Sequence, residues 1–169
     1  ESGKFTIEEI PFNLHEKVSH VYESLRVKAE EKGLGFNVDY NQALSENYIG
    51  DPVRITQVLI NLTGNAIKFT ENGSVTIRVT PVEDASNGIS ISVVDTGIGI
   101  AQDKIQHIFE SFTQESADTT RKFGGTGLGL AISKQLIELM NGQLIVESVQ
   151  GKGSSFIVKL PLLATNEMP

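Results

Sequence analysis

The sequence predicts a single α/β domain, for three reasons. The chain has 169 residues and 18.4 kDa, which is enough for one domain with a substantial core. Residues 52–69 carry apolar side chains at helical spacing. Residues 75–82 and 89–94 are two apolar strands joined by a polar loop, which is the pattern of a hairpin. Helical and strand segments that alternate along one chain of this length indicate the α/β class.

The composition excludes several kinds of function. A net charge of −7 and a pI near 5.0 argue against a general nucleic-acid or anionic-membrane surface. The absence of cysteine removes disulfides and thiolate metal sites and favours a reducing compartment. No apolar run approaches the ~20 residues that span a bilayer. Because residue 1 is Glu rather than Met, we expect a fragment of a longer protein.

The first third of the chain predicts strand, helix and strand. Residues 4–10 are predicted as an edge strand that ends before the first proline. Asn13 then caps a helix, with Glu16 three residues later completing a capping box, and Gly33 ends that helix. Residues 36–40 predict the next strand, followed by a polar loop.

The helix over residues 52–69 begins with Asp51 as N-cap and Pro52 at its first position. Its polar side chains share one stripe, formed by Gln57, Asn61, Asn65 and Lys68. An Asn oxygen can ligate Mg²⁺ and a Lys one turn further can contact phosphate, so the stripe suggests a Mg-nucleotide site. An ordinary amphipathic helix is the alternative, and this segment alone favours it.

Later elements follow the hairpin. A short helix, a mobile polar loop and a helix opened by glycines are predicted at residues 102–109, 110–123 and 124–140. A final hairpin is predicted with strands at residues 143–148 and 154–160. A disordered tail is predicted at residues 162–169, so that the domain spans residues 1–161.

Asp95 ends an apolar strand and is followed by Gly97 and Gly99. An ionised carboxylate is only an acceptor, so it suits the exocyclic amine of adenine, and glycines let the backbone approach a ring. A simple turn is one alternative. The other is the Asp-Thr-Gly of retroviral-type aspartic proteases, which is disfavoured because Ile98 follows where a small residue is expected and the motif has no second copy.

The run Gly125-Thr126-Gly127-Leu128-Gly129 leads into a helix, whose first N–H groups and dipole attract phosphate. A dinucleotide fingerprint must directly follow a strand, but here the polar residues 116–122 precede the glycines. A glycine-rich hinge remains the alternative.

Together these motifs resemble the ATP-binding catalytic domain of sensor histidine kinases, within the gyrase, Hsp90, histidine kinase and MutL superfamily. The resemblance covers nearly the whole chain. Five boxes in family order carry it, at residues 61–69, 95–99, 109–112, 125–130 and 151–154. Three details resemble the hybrid kinases, which often carry a receiver domain, at residues 68–70, 112–114 and 119–122.

The resemblance implies a two-layer α/β sandwich of the Bergerat type, with a mixed sheet packed against helices and ATP held on one side. Asn65 would be the Mg²⁺ ligand, Asn61 its polar neighbour and Lys68 a phosphate contact. The backbone of the glycine loop would meet the phosphates, through Gly125, Thr126, Gly127, Leu128, Gly129 and Leu130.

Asp95 would hold adenine, Gly97 and Gly99 would border it, and Ser154 would support Asp95 indirectly. Residues 110–123 would form the ATP lid.

Phe109 and Phe112 would anchor the base of the lid. Arg121 or Lys122 would reach the γ-phosphate, although a solvated charge pair is an equal alternative.

The implied function is the phosphodonor half of a histidine kinase, which presents the γ-phosphoryl of Mg-ATP to a His on a separate dimerisation domain. In the ATPase branches a Glu one turn before the metal-binding Asn activates water, whereas here Asn61 occupies that position. His15 precedes an acid as a phosphoacceptor does, but it lies too close to the Asn helix and lacks a helical hairpin. His15, His20 and His107 are therefore interpreted as structural or solvated.

Two alternatives remain: an interaction module switched by ATP without catalysis, and a superfamily ATPase. The expected partners are the dimerisation domain of the same protein and a receiver domain, in this chain or another. We expect no nucleic-acid partner and no direct membrane contact. The expected place is the cytoplasm, as part of a larger sensor whose membrane anchorage is left open, and the isolated domain should be nearly inactive.

Overall fold

The structure is a computed structural model that describes residues 6–82, 88–109 and 127–169. Within the last range, the side chains of Gly127 and Leu128 are not described. The predicted lid over residues 110–123, with Phe112, Arg121 and Lys122, lies outside the described residues. Gly125 and Thr126 lie outside them too.

Eight strands form two sheets in the described part of the chain. A five-stranded sheet has the order β2-β4-β5-β7-β6, with β2 at Gly35–Tyr40, β4 at Ser74–Pro81, β5 at Ile89–Asp95, β6 at Gln143–Val149 and β7 at Gly153–Leu160. A three-stranded sheet has the order β1-β3-β8, with β1 at Ile10–Asn13, β3 at Asn47–Gly50 and β8 at Leu163–Ala164. In the larger sheet β2 and β4 run parallel and the other pairs antiparallel, so this sheet is mixed.

The helices form the second layer. In the described residues they are α1 at Leu14–Glu31, α2 at Pro52–Lys68, α3 at Gln102–Ile105 and α4 at Gly127–Leu139. Helix α1 contacts β2, α2 contacts β4 and β5, and α4 contacts β6, while α2 lies between α1 and α4. The predicted α/β sandwich, with a mixed sheet packed against helices, is confirmed.

The core between the layers is built by alternate residues of the central strands and by the apolar arc of α2. These residues are Val75, Ile77, Val79, Ile89, Ile91, Val93, Ile55, Leu59 and Leu62. Alternation in β4 and β5 follows from the two-residue period of a strand, which leaves their other face towards solvent. One face of α2 is therefore fixed in the core, and this fixes the direction of its polar stripe.

Both predicted N-caps are confirmed. The Asn13 side chain accepts a hydrogen bond from the Glu16 backbone N–H at 2.8 Å. The buried Asp51 carboxylate accepts from the N–H of Arg54 at 3.1 Å. Its second oxygen accepts from the N–H of Glu8 at 3.0 Å, so Asp51 also holds the segment before β1.

Replacing Asp51 by alanine should lower the free energy of unfolding by about 1 to 2 kcal/mol, because it removes a cap and also the partly buried hydrogen bond to the N–H of Glu8. Urea denaturation measures the change. Asn13→Ala is the matched control, since Asn13 caps a helix without this additional contact. The free energy of unfolding should fall less in this variant than in Asp51→Ala. Equal losses would contradict the additional role of Asp51.

The predictions for the first strand, for the loop before α2 and for the helix after β5 differ from the structure. The first strand begins at Ile10 and includes Pro11, rather than ending before it. A residue at the edge of a sheet needs no partner for an outward N–H, so an edge strand tolerates proline, and among the described strands β1 pairs with β3 alone. Strand β3 falls within the predicted polar loop and was not predicted. The helix predicted over residues 102–109 ends at Ile105 and continues as turns.

The chain beyond residue 161 also contains a strand that the sequence did not predict. Leu162 is buried, and β8 pairs with β3 through Leu163 opposite Ile49 and Ala164 opposite Tyr48. The predicted tail therefore starts with residues that contact the smaller sheet. The domain boundary at residue 161 stays a prediction.

Candidate functional site

The polar stripe of α2 lies beside α4. Asn61, Asn65 and Lys68 are partly exposed, whereas Leu62 and Ala66 between them are buried. The Asn61 amide donates to the Ser133 hydroxyl of α4 at 3.2 Å.

Among the residues that the structure describes, the Asn65 amide makes no hydrogen bond and the Lys68 ammonium makes no ion pair. No described residue therefore occupies the Asn65 amide or the Lys68 ammonium, and both can contact a ligand.

Asp95 ends β5 as a buried carboxylate, only 8% exposed. Its Oδ1 accepts from the N–H of Gly97 at 2.8 Å and from the N–H of Ser154 at 3.2 Å. Burial raises the pKa of the Asp95 carboxyl, and these two N–H groups oppose that shift in part. Within the described residues Oδ2 accepts no hydrogen bond, so it can accept one from a ligand.

The predicted support of Asp95 by Ser154 has a specific contact in the structure. Ser154 lies opposite Asp95 in the β5–β7 register, and its backbone N–H makes the contact. The Ser154 hydroxyl instead lies 2.8 Å from the Ser148 hydroxyl.

Gly97 brings the Asp95 loop against the end of α2. A Cβ added at Gly97 would lie 2.6 Å from the carbonyl oxygen of Phe69, 2.9 Å from Thr70 Oγ1 and 3.1 Å from Asp95 Oδ1. Contacts under 3.0 Å are closer than a real side chain adopts, so the approach requires glycine. The loop that follows the adenine candidate Asp95 thus lies against the C-terminal end of the helix that carries Asn65 and Lys68.

The loop after Gly97 is fixed to the β6–β7 turn. Gly99 has φ +71°, which side chains rarely adopt, and a Cβ added there would overlap the carbonyl of Val149. The N–H of Gly151 donates to the carbonyl of Ile98 at 2.7 Å, and the N–H of Ile100 donates to the Ser148 hydroxyl at 2.8 Å.

Two supporting residues, Ser148 and Ser133, were not identified from the sequence. Each acts across elements that are distant in the chain, and a single serine in a strand or helix gives no local signal.

The glycine loop is described only in part. Gly127 begins α4, and Gly129 and Leu130 lie in its first turn, partly exposed. Phe109, just before the predicted lid, packs edge to face on Phe156 at 6.4 Å between ring centroids. The Lys134 ammonium lies 5.2 Å from the centroid of the Phe109 ring.

Other places in the described residues do not carry the predicted site. A cleft of about 480 Å³ has aromatic walls that include His15 and Tyr40, whose rings meet edge to face at 4.8 Å, and no predicted ATP-binding residue lines it. Across residues 6–82, 88–109 and 127–169, no three His, Cys, Asp or Glu side chains cluster as a metal site. No helix in these ranges is long and apolar enough to cross a membrane.

Comparison with known proteins identifies the family. Residues 50–164 match the family described as histidine kinase-, DNA gyrase B- and HSP90-like ATPase. The chain is 42% identical over 163 residues to the autoinducer 2 sensor kinase/phosphatase LuxQ of Vibrio cholerae, an alignment that covers 96% of this chain and 19% of LuxQ. The chain thus spans about a fifth of that relative.

Two solved structures are similar. Full-length ShkA in complex with AMPPNP has 31% identity and a TM-score of 0.83, covering 95% of this chain and 32% of ShkA. Histidine kinase ThkA in complex with the response regulator protein TrrA has 28% identity and a TM-score of 0.74, covering 95% of this chain and 43% of that one. The resemblance inferred from the sequence is confirmed: the chain belongs to the histidine kinase-, DNA gyrase B- and HSP90-like ATPase family, as an ATP-binding domain of the sensor histidine kinase type.

Proposed function

We propose that this domain binds Mg-ATP between the end of α2 and the Asp95 loop and presents the γ-phosphoryl to a His on a separate dimerisation domain. The observation that carries the proposal is the contact of Gly97 with Phe69 and Thr70. This contact brings the buried Asp95 carboxylate, which can accept a hydrogen bond from adenine, next to the end of α2, which carries the Asn65 amide and the Lys68 ammonium. Membership of the family supports the same assignment.

Adenine is assigned to Asp95. Oδ1 is already used by two backbone N–H groups, which hold the carboxylate in one orientation. Oδ2 is then positioned to accept from the exocyclic amine of adenine. Guanine has a carbonyl oxygen at the corresponding ring position, which would face the carboxylate as a second acceptor.

The residues present fit Mg²⁺. The Asn65 side-chain oxygen is a hard neutral ligand, and in the described chain no cluster of three acids surrounds it. Mg²⁺ is commonly held by one or two side-chain oxygens together with substrate phosphates and waters, so a single amide is sufficient. When bound, Mg²⁺ would neutralise phosphate charge and align the phosphates. Lys68, one turn after Asn65, would contact a phosphate oxygen.

The chemistry and the hydrogen bond of Asn61 favour phosphotransfer over hydrolysis. An amide is not a base at neutral pH, and the Asn61 amide donates to Ser133 rather than facing the site freely. The described residues thus supply binding and charge stabilisation, and the nucleophile comes from another domain.

The remaining assignments are part of the same proposal. Residues 110–123 form the lid, Arg121 or Lys122 reaches the γ-phosphate, and Gly125 to Leu130 contact the phosphates. The partners are the dimerisation domain of the same protein and a receiver domain, for which the ThkA complex with TrrA is a precedent. We also place the domain in the cytoplasm, because a chain without cysteine can form no disulfides and so fits a reducing compartment.

Labelling with γ-labelled ATP and Mg²⁺ tests the function. The domain alone should bind ATP without labelling itself or releasing phosphate at an appreciable rate. Addition of the dimerisation domain of the full-length protein should give label on that domain. Binding without transfer would instead identify an interaction module switched by ATP. Rapid phosphate release, or label on His15, His20 or His107, would identify a self-sufficient enzyme.

A further inference from the structure

The carbonyl groups at the end of α2 have an unusual partner. A helix leaves its last carbonyls without intrahelical donors. Here the Thr70 hydroxyl donates to the carbonyl of Ala66 at 2.7 Å. The Lys32 ammonium donates to the carbonyls of Ile67 at 2.8 Å and Lys68 at 3.0 Å. Lys32 thus satisfies two of these carbonyls at once.

Lys32 comes from a different helix. It is the C-cap residue of α1, with its own N–H donating to the carbonyl of Ala29 at 3.1 Å, and Gly33 follows with φ +71°. Its side chain is partly buried, and among the described residues it has no carboxylate partner. An ammonium at a helix C-terminus is favoured by the helix dipole, so the two carbonyls hold Lys32 in place.

The turn that follows α2, residues 69–73, is held at its other end by the same junction between α1 and β2. The N–H of Gly35, three residues after Lys32, donates to the carbonyl of Gly73 at 2.9 Å. Next to Gly73, Ser74 donates to Thr96 Oγ1 at 3.0 Å and accepts from the Thr96 N–H at 3.1 Å. The residues around Lys32 therefore fix both ends of one turn.

This turn touches the residues that face the nucleotide. The carbonyl of Phe69 and the hydroxyl of Thr70 contact Gly97, whose N–H orients the Asp95 carboxylate. Lys68, whose carbonyl accepts from Lys32, carries the ammonium assigned to phosphate. A shift of the turn would move the phosphate side and the adenine side together.

We infer that Lys32 is a positioning residue for the nucleotide site, acting through the end of α2 and the turn at residues 69–73. The inference rests on the proposed function, because it assumes that ATP binds there. In this role Lys32 does not contact ATP itself. It sets the position of Lys68 relative to Asp95.

Calorimetry with ATP and Mg²⁺ on three variants tests this role. Lys32→Met keeps most of the side-chain length but removes the charge and the donors, and it should weaken ATP binding about tenfold, the lower end of the loss when a group that orients a metal ligand is removed. Lys32→Arg keeps charge and donors and should restore most of the affinity. Lys28→Met, an exposed lysine in the last turn of α1, is the matched control and should bind as the unaltered domain does.

Hydrogen exchange without nucleotide separates positioning from simple helix stabilisation. Lys32→Met should increase exchange at the N–H groups of Phe69, Thr70 and Gly97, whereas Lys28→Met should not. Should Lys32→Met fail to fold, Lys32→Gln, which keeps a donor, should show the same effects more weakly.

Each failure has its own meaning. Normal ATP affinity in the folded Lys32→Met or Lys32→Gln domain, or unchanged exchange at Gly97, would overturn the inference and leave the proposed function intact. Absence of ATP binding by the unaltered domain would overturn both.

Discussion

Replacing Asn65 by alanine should abolish Mg²⁺-dependent nucleotide binding while the domain stays folded. Alanine is the best helix former, and Asn65 is partly exposed on the polar stripe, whereas its neighbours Leu62 and Ala66 are buried in the core. Loss of a metal ligand should exceed the about 10- to 100-fold loss typical of removing a group that only orients a ligand. Calorimetry with ATP, with and without Mg²⁺, measures the change.

Gln57→Ala is the matched control for this variant. Gln57 is an exposed amide on the same stripe of α2, two turns before Asn65. Its removal should leave both affinity and metal dependence unchanged. An Asn65→Ala domain that bound ATP with normal affinity and normal response to Mg²⁺ would rule out the ligand assignment.

Replacing Asp95 by asparagine should weaken the binding of adenine nucleotides and reduce the preference of the domain for adenine over guanine nucleotides. A lost hydrogen bond to a charged group is worth about 1.5 to 3 kcal/mol, hence roughly one to two decades in affinity. The asparagine oxygen can still accept from Gly97 and Ser154, so the local backbone should keep its geometry. Competition between ATP and GTP measures selectivity, and an unchanged preference would make Asp95 a structural residue.

The same variant should be more stable than the unaltered domain at neutral pH without nucleotide. Burial raises the pKa of Asp95, so the folded state binds a proton more readily than the unfolded state does. The stability that protonated Asp95 contributes is complete below its unfolded pKa and is lost as pH rises through its folded pKa. The advantage of Asp95→Asn should therefore appear as pH rises through that folded pKa and vanish in acid.

Urea denaturation of both proteins over a pH series measures this difference. Asp39→Asn is the control, because Asp39 is 65% exposed and lies 3.5 Å from Arg78, an arrangement that contributes little to stability. A stability advantage of Asp95→Asn that persisted undiminished in acid would contradict the burial cost of the carboxylate.

Features with local causes were predicted well from the sequence. Asn13 and Asp51 cap helices through residues three positions away, so their pattern is visible in the chain. The β4–β5 hairpin and the buried arc of α2 follow from short periodicities. Asp95 and Gly97 could be singled out for the same reason, since the motif is contiguous, and their role in ATP binding stays a prediction.

Features that depend on distant partners were not predicted. Strand β3 has four residues, and its partners β1 and β8 come from opposite ends of the described chain. The first strand was predicted as an edge strand, but its bounds were wrong because Pro11 was taken as its end, whereas pairing with β3 extends it to Asn13. The contacts of Lys32 and Ser148 cross between elements, and neither residue differs in sequence from an ordinary surface lysine or serine.

The smaller sheet has a consequence for how the domain can be joined to others. Strands β1 and β8 lie on either side of β3, so they are two strand spacings apart, roughly 10 Å. Both run antiparallel to β3 and hence parallel to each other. Ala164 and Phe12 both pair with Tyr48, so Ala164 is offset from Ile10 by only two residues along the strand direction, and the entering and leaving polypeptide stay close together. A domain with this arrangement can be grafted into a surface loop of a host protein, or circularly permuted by a short linker, without opening the five-stranded sheet.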